Sequence, residues 1–300
     1  MKFFNRLIVG MMPIFPKSFI WLFSKRYVAG KSISDGLEKT RELNSIGCAA
    51  TIDVLGEDIT TMEEATLSRE ESIHVLEAIY TNNLDGSLSV KLTSLGLRID
   101  KEQCYRNVRE IIQKAKEMGN FVRIDMEDAT CTDDTLEIYK RLRKDFNNVG
   151  AVIQAYLKRS REDVRSLIEE GTTNLRICKG IYDESKEIAF KDKEEIRDSY
   201  IDLVQMMLES NSFVGIATHD KMLVDKSLKM IQSLQVPKTK YEFQMLLGVT
   251  ENLRHELVSQ GHRLRVYVPY GEQWYGYSLR RLKENPRLAG YIIKNLFIKG

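Results

Sequence analysis

Metal-binding and redox residues are sparse in this chain of 300 residues, which has four histidines and four cysteines. His74, His219, His255 and His262 stand at unrelated positions, and none forms a His-x-x-x-His pair beside acidic ligands, so no metal is expected. Cys48, Cys104, Cys131 and Cys178 lack compact metal or redox spacing and read as unpaired, buried thiols in a reducing compartment. Proline is scarce as well. Pro13, Pro16, Pro237, Pro269 and Pro286 leave the central strands and helices free of a residue that breaks their hydrogen bonds. Neither sign of charge dominates: 45 basic residues face 43 acidic ones, for a net +2, so nucleic acid has no footprint here. No early Gly-x-Gly-x-x-Gly turn is present, which removes the main argument for a dinucleotide-binding doubly wound sheet.

Long hydrophobic runs are also missing. In the first 30 residues Phe, Ile, Met, Leu and Trp are interrupted by Arg6, Lys17, Lys25, Arg26 and two prolines before any run reaches spanning length, and no small-residue cleavage site follows. Two readings fit this stretch. One is peripheral contact with a membrane surface, and the other is an arm packed on the main domain or on another subunit. The expected division is an amino-terminal helical arm or packing segment over residues 1–46 and a main domain over 47–300.

What the chain does have is 43% hydrophobic and 29% charged residues, enough for a large core in a soluble globular protein. Short apolar strands alternate with amphipathic helices. Strands are expected at 49–55, 87–92, 120–126, 150–156, 173–178, 212–217, 241–245 and 263–268. Helical patterns follow at 62–80, 101–117, 133–144, 161–170, 191–209, 222–232, 251–260 and 274–283. Eight βα units point to an α/β fold, a (β/α)8 TIM barrel.

Strand ends in such a barrel converge on one mouth, so scattered polar residues gain meaning together. DVLGE puts Asp53 and Glu57 just beyond the first strand, SVKLTS puts Lys91 on the second, and RIDMED puts Asp125 at the third, where Lys91 and Asp125 are placed to pair. Gln154, Tyr156, Arg176, Lys179 and Tyr182 combine donors with aromatic surface, a mixture suited to an elongated cofactor, although each residue also suits an ordinary loop network. Thr218, His219 and Asp220 form no catalytic triad, and a lone histidine is more often structural. Glu57 and Asp125 are also conceivable as the acid and base of a hydrolase, with no purpose then for the arginines that follow.

Those arginines lie on the last helix. Tyr277, Arg281 and Glu284 recur at helical intervals with Arg280 beside them, a constellation that grips a carboxylate beside an aromatic wall. Taken alone, a solvated basic face braced by Glu284 satisfies the same spacing.

The ordered set SVKLTS, RIDME, VIQAY, RICKGIY, ATHD, EFQMLLG, RVYVPYG and YSLRRLKEN resembles monofunctional bacterial proline dehydrogenase, over nearly all of the barrel. The resemblance implies a distorted (β/α)8 barrel with its final helix over the active-site mouth. It implies FAD held by Gln154, Arg176, Lys179, Thr218 and His219. L-proline would be clamped by Arg280 and Arg281, with Lys91 adding positive potential and Tyr182, Leu246, Tyr267 and Tyr277 forming the ring pocket. The resemblance also implies catalytic positions for Lys91, Asp125 and Tyr267, with Asp125 orienting Tyr267 or pairing with Lys91, and a role for Glu57 as a gate or brace through Arg281. The implied activity is hydride transfer from proline C5 to FAD, yielding Δ1-pyrroline-5-carboxylate. A membrane quinone would then reoxidise the flavin, and a separate dehydrogenase would consume the product. A cytoplasmic enzyme that visits the inner membrane face fits this chemistry. The different-class alternative is a noncatalytic barrel that binds a small carboxylate.

Overall fold

The computed structural model describes residues 17–56, 59–171 and 173–284. Its centre is a closed barrel of eight strands in sequential order, all neighbours parallel, with β8 closing on β1. The strands are β1 (Ala49–Val54), β2 (Gly86–Val90), β3 (Val122–Ile124), β4 (Val149–Gln154), β5 (Asn174–Cys178), β6 (Phe213–Ala217), β7 (Tyr241–Leu246) and β8 (Leu264–Tyr270). Among the described residues two helices precede the barrel, α1 (Lys17–Ser24) and α2 (Ile33–Ser45). Between the strands run α3 (Met62–Thr81), α4 (Lys101–Glu117), α5 (Thr132–Arg143), α6 (Ser160–Glu169), α7 (Lys193–Glu209), α8 (Lys221–Ser233) and α9 (Glu251–Ser259), and α10 (Trp274–Glu284) follows β8.

The strands alternate in character along their length. Ile52, Leu88, Ile124, Ile177, Ile216, Phe243 and Val266 are wholly buried in the layer between sheet and helices. Helix α4 supplies the opposing face with Cys104, Val108, Ile111, Ile112 and Ala115, three or four residues apart. Burying each aliphatic side chain of this kind stabilises the fold by about 1.5–3 kcal/mol. The intervening strand positions point into the barrel and are mostly polar, among them Thr51, Asp53, Ser89, Arg123, Arg176, Glu242 and Gln244, and Asp125 follows directly after β3. The usual barrel interior is packed with branched apolar layers, so this lumen is built for hydrogen bonding.

Most element limits lie within two residues of the sequence expectation. Helix α7 starts later than expected because the Asp192 side chain accepts from the N–H groups of Glu194 and Glu195 and so caps its first turn. Strand β8 runs on through Pro269, which still pairs with Asp53 in register and whose carbonyl accepts the N–H of Ala29 at 2.9 Å. That bond is one of several that stitch the segment after α1 across the barrel. Arg26 Nε donates to the Gly248 carbonyl at 2.8 Å. Gly248 sits at φ 72°, and a Cβ there would lie 2.1 Å from the Arg26 carbonyl oxygen, so only glycine admits this approach. Ile20, Tyr27 and Val28 pack with Leu55, Trp274 and Tyr277 in a cluster separate from the main core. The part of the arm in the described residues is therefore packed on the barrel and its last helix; residues 1–16 lie outside them.

Candidate active site

Strand carboxyl ends open into a cavity of about 550 Å³. Its wall includes Lys91 from the end of β2, Asp125 after β3, Gln154 ending β4, and Arg176 on β5 with Lys179 and Tyr182 in the loop that follows. Thr218 and His219 come from the end of β6, Leu246 from β7, Tyr267 from β8, and Tyr277 and Arg281 from α10, which lies over the opening. Residues separated by up to 230 positions in sequence, from Thr51 to Arg281, thus face one space. Glu57 lies outside the described residues, as does the side chain of Arg280.

The ion pairs differ from the expected pairing of Lys91 with Asp125. Lys91 Nζ meets Asp53 Oδ1 at 2.5 Å, and Asp53 belongs to β1 itself rather than to the turn beyond it. Asp125 is met by Arg176, whose Nη1 donates to Oδ1 at 2.8 Å. Ser89 donates to the same oxygen at 2.7 Å, and the Tyr267 phenol donates to Oδ2 at 2.6 Å. The expected orientation of Tyr267 by Asp125 is thus present. Closure of the barrel sets these partners, because β1 lies beside β2 while the long Arg176 side chain crosses the lumen from β5.

Burial, with the Asp125 and Asp53 carboxylates adding to it, holds the Tyr267 phenol well above its ordinary pKa, so Tyr267 remains a hydrogen-bond donor. His219 is shifted the other way. Burial first, then the charges of Arg281 and Lys179, lower it to about 4. Its Nε2 accepts the Leu246 N–H at 2.8 Å, which leaves the neutral ring with its proton on Nδ1. Lys179 is paired with Asp220 at 2.7 Å, and Asp220 also receives Arg197 and caps α8 through the Met222 N–H. On α10 the Arg281 guanidinium stands 5.2 Å from the centre of the Tyr277 ring. Gln154 donates Nε2 to the Met126 carbonyl at 3.3 Å, while its buried Oε1 has no hydrogen-bond partner among the described residues.

Ser89, Glu242, Gln244 and Arg265 belong to the same polar lumen and escaped the sequence reading. The signal was present as period-two alternation, for instance Glu242 and Gln244 between Tyr241, Phe243 and Met245. Among the described residues no group of histidine, cysteine and carboxylate side chains is placed to hold a metal ion.

Known proteins share this sequence and fold. The sequence profile described as "Proline dehydrogenase" matches residues 36–291. Proline dehydrogenase 1 of Bacillus subtilis (strain 168) is 38% identical over 278 residues, covering 93% of this chain and 92% of its own. Proline dehydrogenase of Deinococcus radiodurans is 36% identical over 286 residues, covering 94% and 92%. Among solved structures, proline utilization A from Bdellovibrio bacteriovorus, inactivated by N-propargylglycine, superposes with a TM-score of 0.82 at 25% identity. That match covers 88% of this chain and 32% of the larger protein. A profile matched across most of the barrel and relatives aligned over nearly their whole length have one consequence: the chain belongs to the proline dehydrogenase family of oxidoreductases.

Proposed function

We propose that the cavity binds FAD along its Gln154–His219 side and L-proline beneath α10, and that the chain oxidises L-proline to Δ1-pyrroline-5-carboxylate. The observation that carries this reading is the meeting of Arg281 and Tyr277 with Arg176, Gln154 and His219 around one cavity. Its volume of about 550 Å³ lies in the range of small-molecule and cofactor sites. The walls suit a flavin. Gln154 Oε1, unpaired among the described residues, offers an acceptor for a ring N–H, His219 carries a donor on Nδ1, and Arg176 and Lys179 supply positive charge for electron-rich or phosphate groups.

When bound, FAD supplies the two-electron acceptor that takes the C5 hydride as proline loses its nitrogen proton and forms a C5=N bond. The protein contributes position and field. Arg281, with Arg280 beside it in sequence, grips the proline carboxylate, while Tyr182, Leu246, Tyr267 and Tyr277 bound the ring. Lys91 and Arg176 set positive potential where negative charge arrives. Tyr267 keeps its phenol proton and donates to Asp125, so the amine proton leaves to solvent.

A membrane quinone is the proposed acceptor for the reduced flavin, with contact at the inner face of a membrane by a cytoplasmic enzyme, and a separate dehydrogenase consumes the product. Among the described residues no helix is long and apolar enough to cross a membrane. We also propose that residues 1–46 form the arm and 47–300 the catalytic barrel, with Glu57 as gate. An anaerobic visible spectrum before and after L-proline tests the activity. Bleaching of the flavin is expected. Stoichiometric flavoprotein that stays oxidised with proline and with other cyclic amino acids would leave a carboxylate-binding barrel instead.

A further inference from the structure

Below the floor of the main cavity the lumen stays polar, and Arg123, Asn174, Glu242, Arg263 and Arg265 surround a second space of about 190 Å³. Gln244 and Arg176 stand between the two spaces and line both. Both are buried.

The Gln244 amide is fixed in one orientation. Its Nε2 donates at 2.6 Å to Glu242 Oε1, and that carboxylate is held by Arg265 Nε at 2.8 Å and Arg263 Nε at 3.2 Å. An ionised carboxylate accepts only, so the amide nitrogen faces Glu242 and the amide oxygen faces Arg176, whose Nε donates to it. Burial works against the Glu242 carboxylate, but Arg265 and Arg263 outweigh it and hold its pKa below the ordinary range. Arg176 is thereby anchored at two points, Nε on Gln244 and Nη1 on Asp125. Gly215 on β6 makes the room, since a Cβ there would lie 2.6 Å from Gln244 Nε2.

We propose that Gln244, oriented by Glu242, is the positioning residue that holds the Arg176 guanidinium in place beneath the cofactor. This inference rests on the reading of the cavity as a flavin site. Gln244 acts through Arg176, so its effect exists only while Arg176 is present. A side chain that merely fills space has an effect independent of Arg176.

The test is a double-variant cycle read as the FAD dissociation constant, by quenching of flavin fluorescence, with melting temperatures recorded alongside. Gln244→Met should weaken FAD binding about tenfold, the scale of one charge-assisted hydrogen bond. In an Arg176→Gln background the same change should alter FAD affinity by less than about twofold, because the two residues act as one unit. Gly215→Ala removes no polar group and should also weaken FAD binding, by crowding Gln244 from its station. Additive losses in the cycle overturn the proposal. Should Gln244→Met fail to fold, Gly215→Ala decides, and unchanged FAD affinity there overturns it. Wild-type protein that binds FAD tightly but is not reduced by L-proline defeats the proposed activity alone; wild-type protein that binds no FAD defeats both.

Discussion

Trp21 and Trp274 meet edge to face, with ring centroids 4.6 Å apart and planes inclined at 63°. The contact joins α1 to the first residue of the helix that carries Tyr277 and Arg281 into the cavity. Lys17 adds to it over the Tyr275 ring at 5.6 Å. Helix α1 is therefore a brace for the roof of the site.

Replacing Trp21 with alanine should lower stability by about 1–3 kcal/mol, from the lost packing and aromatic pair. The KM for proline should rise several-fold while FAD affinity changes little, because the brace acts on α10. Thermal melting and steady-state kinetics check this, and a larger effect on FAD than on proline would count against the brace.

Arg281→Met should reduce proline capture by about one to two orders of magnitude, the cost of removing a bidentate carboxylate partner, while most FAD remains bound. Intact proline affinity in the folded variant would sink the anchor role of Arg281. Circular dichroism establishes folding, and equilibrium titration of the oxidised flavin establishes affinity.

The His219 shift has a signed consequence for stability. The folded state holds the imidazole near 4 against an ordinary 6.5, so the unfolded chain binds the extra proton first. Stability is greatest above the unfolded pKa and falls as pH drops from about 6.5 towards 4, by on the order of 3 kcal/mol in total. Melting curves of wild type and His219→Gln should therefore diverge across this window, the wild type falling more steeply. Parallel curves would place the loss in other groups.

Asp125→Ala removes the shared acceptor of Arg176, Ser89 and Tyr267. Leaving the Arg176 charge without its carboxylate should cost about 3–5 kcal/mol, measured by denaturant titration. The rate of flavin reduction should fall with it, since Arg176 and Tyr267 both lose a fixed position. Asp125→Asn retains the shape and should recover part of the stability but not the charge pairing.

Much of this architecture is legible in local pattern. The eight apolar strand segments and the helices between them arise from periods of two and of about 3.6, which short-range sterics and burial impose on any chain. Tyr277 and Arg281 share a helix face because they are four residues apart. Missing from that reading was the lumen: Glu242 and Gln244 alternate with Tyr241, Phe243 and Met245, a period that tells two faces apart but does not say which one looks inward.

The sequence by itself determined the order, type and approximate limits of the elements, and with the ordered motifs it marked the family. Tertiary structure alone decided which charges meet. Lys91 pairs with Asp53 because β1 and β2 are neighbours, whereas Asp125 receives Arg176, a residue 51 positions away that reaches across the lumen. Ion pairing depends on distance and burial in space, which barrel closure and strand register set and residue spacing along the chain does not.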